Sequence, residues 1–249
     1  MHELDYNNNM KIVAISDNHG ILTKKLREDI GTCDVLLIAG DTADLYKQKS
    51  MDGSKWWYKE NFLPWLNHVD AKHIVMVAGN HDFWLEKEPD EFRKMIEGTN
   101  ITYLENEYVT IDGVTIYGTP LCHKFYNWAF MPDDDKQREI YEKTMDDRKI
   151  DILLSHDAPY GCSDVCFKAS WPVEDPHIGS HVLRDVILEK KPMYCLHGHL
   201  HSTNHEEEIL GDTKVYNVSV VCEDYAIHYE PLVIEYEPKQ EDNEDTINS

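Results

Sequence analysis

The chain has 249 residues, of which 41% are hydrophobic and 29% are charged, a composition typical of a globular protein with a sizeable buried core. Its formal net charge of −23 disfavours non-specific binding to nucleic-acid backbones and argues against a nuclease. The sequence has no apolar run of ~20 residues that could cross a membrane, and Met1–Asn9 lacks the basic start and apolar stretch of a signal peptide. We therefore expect a cytoplasmic protein without membrane contact.

We predict a single domain over residues 10–236. It follows a polar N-terminal extension, residues 1–9, and precedes an acidic tail, residues 237–249, whose composition is typical of disorder. The six cysteines are scattered through the chain, and we expect them to be free thiols. Cys162 and Cys166 have a spacing that a zinc site could use, but no second Cys/His pair lies at a fitting distance. Nothing in the pattern predicts an oligomeric state.

Five short apolar runs each lead into residues that can bind metal ions. In chain order, Lys11–Ser16 leads to Asp17-Asn18-His19, Val35–Ala39 to Gly40-Asp41, His73–Ala78 to Gly79-Asn80-His81-Asp82, Asp151–Leu154 to Ser155-His156, and Met193–Leu196 to Gly198-His199-Leu200-His201. The runs read as buried strands. Open α/β sheets bind ligands beyond the carboxyl ends of their strands, so the five loops can converge although they span most of the chain.

Amphipathic patterns predict helices between these strands. Apolar residues at helical spacing predict a helix over Phe62–Val69, with Asn61 as its N-cap. A second helix is predicted over Gln137–Arg148, and a third begins at Ser180 as N-cap and stops before Pro192. The alternation of strands and helices indicates an α/β protein.

The motifs offer donors for two neighbouring divalent ions. The carboxylate of Asp17 and the imidazole of His19 lie on one side of an extended segment and can bind one ion, while Asp41 can bridge two ions. His201 would complete the set of ligands around the first ion. The remaining donors would hold the second ion: Asn80, His156 and His199. Nitrogen and oxygen donors without thiolate suit Mn²⁺, Fe, Zn²⁺, Co²⁺ or Mg²⁺ more than Cu⁺.

In this order the motifs resemble the pattern of the calcineurin-like metallophosphoesterase superfamily, which is D-x-H, G-D, G-N-H-[DE], H and G-H-x-H. All five blocks are present between Asp17 and His201. The resemblance implies a four-layer α/β/β/α sandwich with two mixed β-sheets. This fold is more specific than the α/β class that the alternation of strands and helices indicates.

Segments outside the ligand motifs resemble the metallophosphodiesterase subgroup named for a brain-expressed protein. These segments are Phe125–Phe130, Ile150–Leu153, His156–Gly161 and His177–Ser180. Some members of the subgroup replace a ligand histidine by glycine and are feeble catalysts, whereas this chain keeps His201. The resemblance therefore favours a complete two-metal site and a phosphodiesterase.

The resemblance implies a phosphoester hydrolase that depends on two divalent metal ions, with manganese favoured. Two ions ~3.5–4 Å apart share a bridging water and lower its pKa to about 7, so hydroxide is available for in-line attack on phosphorus. His81 is then the candidate acid for the leaving oxygen, and Asp44 stands where related phosphatases place a carboxylate that orients this histidine. Asn18, Asn127 and Trp128 are candidate contacts for a small phosphoester substrate.

Other activities and one other class stay open. The substrate could be a phosphomonoester or a nucleotide pyrophosphate, since the preference for a diester rests on the subgroup resemblance. A protein phosphatase is disfavoured because Leu45 follows Asp44, where that branch carries an arginine. The same fold could also serve as a non-catalytic interaction module, although every ligand position and His81 are intact. Histidines outside the motifs, such as His123, are expected to be structural or exposed.

Overall fold

In the computed structural model, which describes residues 9–165 and 176–237, the first β-sheet carries three of the predicted ligand loops. Its strands are β1 (Met10–Ile15), β2 (Cys33–Ala39), β3 (Ala71–Val77), β4 (Ile101–Tyr103) and β11 (Leu232–Tyr236). They lie in the order β11-β1-β2-β3-β4. Strand β11 is antiparallel to β1, and all other neighbours are parallel, so the sheet is mixed.

The second β-sheet carries the other two ligand loops. Its strands are β5 (Glu107–Ile111), β6 (Val114–Thr119), β7 (Ile152–Ser155), β8 (Tyr194–His197), β9 (Glu208–Leu210) and β10 (Thr213–Asn217). They lie in the order β5-β6-β7-β8-β10-β9. The four inner strands are parallel, and the edge strands β5 and β9 are antiparallel to their neighbours.

Helices cover the outer faces of both sheets. They are α1 (Lys24–Ile30), α2 (Met51–Trp57), a π-helical segment (Tyr58–Phe62), α3 (Leu63–Leu66), α4 (Phe83–Lys87), α5 (Pro89–Ile96), α6 (Asp134–Thr144) and α7 (His181–Lys190). Successive strand residues face opposite sides, so Ile12 and Ala14 pack between the sheets while Val13 and Ile15 pack against the helices of the first sheet. A third buried cluster joins α6 and α7 to the second sheet. The four-layer sandwich is therefore confirmed.

The helix predicted over Phe62–Val69 begins earlier than the apolar pattern indicates. Helix α2 starts after Ser50, whose hydroxyl accepts a hydrogen bond from the Gly53 N–H at 3.1 Å. Asn61 lies inside the π-helical segment, so its prediction as the N-cap is wrong. The first helical turns are largely polar, and a search for apolar spacing detects only the part of a helix that packs on the core.

Side-chain caps set the starts of the other two predicted helices. Helix α6 begins three residues before its predicted start because the Asp133 carboxylate accepts a hydrogen bond from the Lys136 N–H at 3.0 Å. Helix α7 begins as predicted, with the Ser180 hydroxyl accepting from the Leu183 N–H at 3.1 Å. Both caps satisfy an N–H group that has no partner within the helix.

Some predictions fall on residues that the structure does not describe. The strands span Met10 to Tyr236. Residues 1–8, which are most of the predicted extension, and residues 238–249, which are most of the predicted tail, lie outside the described residues. The division of the chain into an extension, one domain and a tail therefore stays a prediction. Cys166 also lies outside them, and Cys33, Cys122, Cys162 and Cys195 are free thiols. Within the described ranges, no helix is both long enough and apolar enough to cross a membrane.

The two sheets come into close contact at Gly118 on β6. A Cβ atom there would lie 2.4 Å from Leu104 Cβ and 2.9 Å from Val77 Cγ1. Gly118→Ala is expected to lower the free energy of unfolding by about 1–3 kcal/mol because overpacking shifts the neighbouring atoms. Urea unfolding measures this loss. Thr110→Ala, on an exposed position of β5, is the control, and an unchanged midpoint for Gly118→Ala would contradict the contact.

Candidate metal centre

All five predicted ligand loops lie at the carboxyl ends of strands. Three follow β1, β2 and β3 of the first sheet, and two follow β7 and β8 of the second. Five groups of three potential ligand residues, each group with its ligand atoms within 4.8 Å of one another, form where these loops meet. They include six of the seven predicted ligands: Asp17, His19, Asp41, His156, His199 and His201.

One set of donors is centred on a pair of imidazoles. The Nε2 atoms of His19 and His201 lie 3.1 Å apart, and the His201 nitrogen is 3.3 Å from Asp17 Oδ1. Asp41 Oδ2 is 3.9 Å from His19 Nε2. Two carboxylate oxygens and two imidazole nitrogens at these separations can surround one divalent ion, whose bonds to such donors are ~2 Å long.

A second set of donors shares Asp41. His156 Nε2 lies 3.0 Å from Asn80 Oδ1 and 3.3 Å from Asp41 Oδ2. The rings of His199 and His156 pack edge to face, with centroids 5.2 Å apart. The thiol of Cys122 is also near, but burial raises its pKa well above the usual value, so it stays protonated and is a poor ligand. The same Asp41 oxygen thus faces both donor sets, as a ligand that bridges two ions would.

Burial and the acidic groups set the protonation of the histidines. Desolvation lowers the pKa of His19 to about 4 and that of His199 to about 3, so both are neutral donors near pH 7. Burial by itself would also lower the pKa of His156, but the Asp41 carboxylate raises it to about 10. Because only unprotonated imidazole binds metal, a divalent ion at this position would displace a proton.

Four predicted ligands have a left-handed backbone, with φ of 55° at Asp17, 41° at His19, 52° at Asp41 and 68° at His199. Such residues are strained, and they persist where surrounding contacts determine their conformation, commonly at functional sites. Bonds between loops provide these contacts. The Asp17 N–H donates to the Gly40 carbonyl at 3.0 Å, and the His19 N–H donates to the Asp41 carbonyl at 3.1 Å.

Gly198 lets the loop after β8 approach the loop after β1. A Cβ atom at this position would lie 1.9 Å from Ser16 Oγ and 2.2 Å from Asp17 Oδ2, so no other residue fits without movement. The approach brings the His199 N–H to 3.1 Å from both carboxylate oxygens of Asp17. The glycine of this motif therefore allows one ligand loop to hold the carboxylate of another.

The buried carboxylate of Asp82 joins two ligand loops. Its Oδ2 accepts a hydrogen bond from the Gly79 N–H at 2.7 Å, and its Oδ1 accepts from the Ala43 N–H and the Tyr58 hydroxyl, both at 2.8 Å. Burial raises the pKa of this carboxyl group, and the hydrogen bonds compensate for its desolvation. Tyr58 lies in the π-helical segment, a distortion that is frequent at functional sites. Asp82 thus fixes the loop after β2 relative to the loop after β3.

The ring of His81 lies at the edge of the donor sets. Its backbone N–H donates to Asp41 Oδ1 at 2.7 Å, and its ring stacks on Trp128 with centroids 4.5 Å apart. Ring Nδ1 is 2.5 Å from Gln48 Oε1, and the Gln48 amide is oriented because its Nε2 donates to the Leu45 carbonyl at 3.0 Å. Nδ1 therefore donates to Gln48, and Nε2 is directed toward Asp41 Oδ2, 3.8 Å away.

The structure corrects the prediction that Asp44 orients His81. Within the described part of the chain, the Asp44 carboxylate accepts a hydrogen bond from the Tyr46 N–H at 2.9 Å and closes a local turn. Gln48, four residues further on, takes the predicted position against the ring. The segment after Asp41 is a turn-rich loop, so strand or helix periodicity could not indicate which of its side chains faces His81.

The three candidate substrate contacts lie in different places. Trp128 lines the cavity above the donors. Asn127 lies outside this cavity, in a separate depression that also borders Trp128 and contains Lys87 and Lys124. Asn18 is fully buried, and its side-chain amide has no hydrogen-bond partner among the described residues. The substrate roles predicted for Asn127 and Asn18 are therefore not supported by their positions.

The donors form the floor of a cavity of about 510 Å³. Part of its lining comes from residues that the ligand motifs do not include: His123, Phe125, Ile178, Ser202, Thr203, Glu223 and Tyr225. The His123 backbone N–H donates to Asp157 Oδ2 at 2.7 Å, and its ring Nδ1 is 3.0 Å from the same oxygen. His123 is thus part of the site, contrary to expectation. The position of Asp157 next to the ligand His156 is the one sequence signal that could have indicated this pair.

Known proteins resemble this chain in sequence and in fold. The family model described as Calcineurin-like phosphoesterase matches residues 10–203. Metallophosphoesterase domain-containing protein 1 of Homo sapiens is 26% identical over 250 residues, which cover 90% of this chain and 70% of that protein. A UPF0046 protein of Caenorhabditis elegans is 26% identical over 244 residues, which cover 93% and 76%. The crystal structure of phosphopantetheinyl hydrolase from Mycobacterium tuberculosis shares the fold, with a TM-score of 0.59 over 94% of this chain and 99% of that chain at 15% identity.

Asp82→Asn is expected to weaken metal binding and to lower the free energy of unfolding by about 1–3 kcal/mol. An amide nitrogen would face one of the N–H donors that the carboxylate now binds, leaving a buried donor unpaired. Calorimetric titration with Mn²⁺ and urea unfolding measure the two effects. Asp44→Asn is the matched control because that carboxylate accepts a local bond outside both ligand sets. Wild-type affinity for Mn²⁺ in Asp82→Asn would contradict the role of Asp82 in fixing the loops.

Proposed function

Because the chain belongs to the calcineurin-like phosphoesterase family, whose members are metal-dependent phosphoester hydrolases, we propose that it hydrolyses a phosphodiester with two divalent ions. The similarity to metallophosphoesterase domain-containing protein 1 confirms the subgroup resemblance. Family membership supports metal-dependent hydrolysis of a phosphoester. The use of two ions and the choice of a diester as substrate are the further steps of the proposal. The observation that carries the proposal is Asp41 Oδ2, which faces His19 on one side and His156 on the other.

The chain's own donors fit such a pair of ions. One ion would be held by Asp17, His19, Asp41 and His201, and the other by Asp41, Asn80, His156 and His199. When bound, the ions would supply Lewis-acid charge and a nucleophilic oxygen at neutral pH. Nitrogen and oxygen donors accept Mn²⁺, Fe, Zn²⁺, Co²⁺ or Mg²⁺, and we favour Mn²⁺.

The charge of the cavity supports a diester as substrate. Among the described residues that line it, none is a lysine or an arginine, and Glu223 adds a carboxylate to that of Asp41. A phosphomonoester carries up to two negative charges near neutral pH, because its second pKa is ~6, whereas a diester carries one. A nucleotide pyrophosphate carries more charge still. The described lining has no lysine or arginine to match charge beyond that balanced by the two proposed ions and a protonated His81, and this favours the monoanion.

His81 is the proposed acid for the leaving oxygen. Its stacking on Trp128 and the contact of Nδ1 with Gln48 leave Nε2 available at the cavity. A neutral amide orients the ring without the negative charge that a carboxylate would place beside it. A water oxygen would form the new bond to phosphorus and give up a proton to solvent, the bond to the leaving oxygen would break, and protonated His81 would transfer its proton to that oxygen and be reprotonated from solvent.

Removal of metal is expected to abolish hydrolysis of bis-p-nitrophenyl phosphate, and added Mn²⁺ is expected to restore it. The donors between Asp17 and His201 otherwise provide only hydrogen bonds, which cannot generate the nucleophile at neutral pH. Release of p-nitrophenol is measured with chelated protein, with and without each candidate ion, beside p-nitrophenyl phosphate as the monoester. Asp41→Asn, which alters the shared ligand, should lose both bound metal and activity.

The possible results separate the alternatives. Restored turnover of the diester in preference to the monoester supports the phosphodiesterase. Turnover of the monoester alone would identify a phosphomonoesterase, and hydrolysis of nucleoside polyphosphates without the diester would identify a nucleotide pyrophosphatase. No turnover of any of these substrates with any ion would contradict the hydrolase and favour the interaction module.

His81→Ala is expected to lower kcat by about 10²–10⁴-fold on a diester with an alkoxide leaving group, and by less on a p-nitrophenyl diester, whose leaving group needs little protonation. Metal content, measured by mass spectrometry, should stay near that of the wild type because His81 is outside the two proposed ligand sets. Gln48→Ala should show a weaker form of the same leaving-group pattern. His68→Ala, at an exposed histidine, is the control. An equal loss on both leaving groups would exclude the role of His81 as an acid.

A further inference from the structure

The tip of a hairpin forms one wall of the cavity. Val221 and Ile227 form an antiparallel bridge, and the Tyr225 N–H donates to the Cys222 carbonyl at 2.9 Å to close the turn between them. This turn brings Glu223 and Tyr225 into the lining of the cavity. The hairpin supplies no metal donor and does not contain the proposed acid, so its contribution to the site is through these two side chains.

Tyr225 is held in a strained conformation beside the donors. Its φ is 56°, in the left-handed region that bulky residues rarely adopt. Its ring lies edge to face with the rings of His19 and His201, at centroid distances of 4.9 and 5.3 Å. Strain of this kind persists where the surroundings impose it, and it is concentrated at functional sites. Here it places an aromatic ring next to two of the proposed metal donors.

Glu223 places a carboxylate in the same wall. The Ser202 hydroxyl donates to its Oε1 at 3.0 Å, whereas Oε2 has no donor at hydrogen-bond distance among the described residues. Phe125 and Trp128 add two aromatic rings to the lining. The ring of Trp128 is already stacked on His81 and lies under the Lys49 ammonium, so the rings of Phe125 and Tyr225 are the aromatic groups that remain for a ligand, beside one carboxylate with a free oxygen.

The lining offers little to a second anionic group. It contains no lysine or arginine among the described residues. Three further side chains near the cavity can become cationic: His81, the proposed acid; His123, whose ring lies 3.0 Å from the buried carboxylate of Asp157; and Lys49, whose Nζ lies over the ring of Trp128 at 4.7 Å from its centroid. An alcohol that carries a carboxylate or phosphate would meet Glu223 with no lysine or arginine in the described lining to compensate for the repulsion.

We infer that this cavity selects phosphodiesters in which the alcohol that is not released carries a positively charged ammonium group. The inference rests on the proposed phosphodiesterase function and names its substrate class. Aromatic faces attract cations through the ring quadrupole, and aromatic cages are the usual binding sites of quaternary ammonium groups. The Glu223 carboxylate adds direct attraction of opposite charge. A neutral alcohol of the same shape would gain the apolar contacts alone.

The chemistry of the reaction is unchanged by this selection. A water oxygen forms a bond to phosphorus, and the bond between phosphorus and the leaving oxygen breaks. The attacking water gives up one proton to solvent, and the leaving oxygen takes one from His81 or departs as an anion if its alcohol is acidic. The ammonium alcohol stays esterified to the phosphate, so no oxidant, reductant or other co-reactant is needed.

Three p-nitrophenyl phosphodiesters that differ only in the second alcohol test the inference with the metal-loaded full chain. The second alcohol is choline, its neutral isostere neohexanol, in which carbon replaces nitrogen, or an anionic carboxypropanol. The wild type is expected to show a kcat/KM about tenfold higher for the choline diester than for the neohexyl diester, and lowest for the carboxypropyl diester. The ratio is used because it cancels effects of a variant on the common chemical step.

Variants of the hairpin tip should remove this preference. The choline-to-neohexyl ratio is expected to fall toward one in Glu223→Gln and in Tyr225→Leu, whereas Tyr225→Phe, which keeps the ring, should retain it. Glu206→Gln makes the same charge change at an exposed position outside the cavity and should keep the wild-type ratio. Equal kcat/KM for the choline and neohexyl diesters in the wild type, or an unchanged ratio in Glu223→Gln, would overturn the ammonium selection while leaving the phosphodiesterase intact.

A binding measurement separates failure of this inference from failure of the proposed function. If no diester is hydrolysed, calorimetry compares the affinities of phosphocholine and neohexyl phosphate for the metal-loaded protein. Tighter binding of phosphocholine that is lost in Glu223→Gln would support the ammonium subsite and contradict only the hydrolase. Equal affinities would overturn both.

Discussion

The carboxylate of Asp82 holds together the loops on which the candidate centre depends. It is fully buried and accepts hydrogen bonds from backbone N–H groups in the loops after β2 and β3, and from the hydroxyl of Tyr58. Burying this charge is costly, and donors from three separate segments are needed to compensate for it. Asp41 and Asn80 lie in the same two loops, so the positions of two ligands depend on a residue that is in neither ligand set. Its place directly after His81 also couples the candidate acid to the candidate metal centre.

In the rest of the centre, backbone strain and buried charge are likewise offset by contacts with neighbouring groups. The left-handed backbone at Asp17 and Asp41 is retained because hydrogen bonds join their loops to each other. Burial would raise the pKa of the Asp41 carboxyl group, yet the nearby His156 keeps it well below its usual range. The carboxylates and the His156 imidazolium are thus charged and directed at one another, and a divalent ion would replace protons as the partner of the carboxylates. The interactions between the ligand loops that stabilise these loops also place the donors where a metal ion would bind.

The centre and the cavity above it come from different parts of the sequence. Motifs at strand ends supply the donors, whereas the wall is supplied by the segment around Phe125 and Trp128 and by the hairpin that carries Glu223 and Tyr225. The wall side chains Phe125, Trp128, Glu223 and Tyr225 can change without disturbing the sheets, because none of them belongs to the buried cores. The family therefore accounts for the chemistry, while the wall of this chain accounts for the substrate class that we infer.

By itself, the sequence determined the five strands that carry the ligand loops, the order of these loops and the start of α7, because these depend on local periodicity and on a cap three residues from its partner. The resemblance to a known family further predicted the four-layer sandwich and the residues that would bind the metal ions. Only the tertiary structure decided which side chains meet at the site. Gln48, and not Asp44, faces His81 across 33 residues of chain, and His123 joins Asp157 across 34 residues. Local periodicity carries no information about such pairs, since their contacts depend on how separate loops pack at the edges of the two sheets.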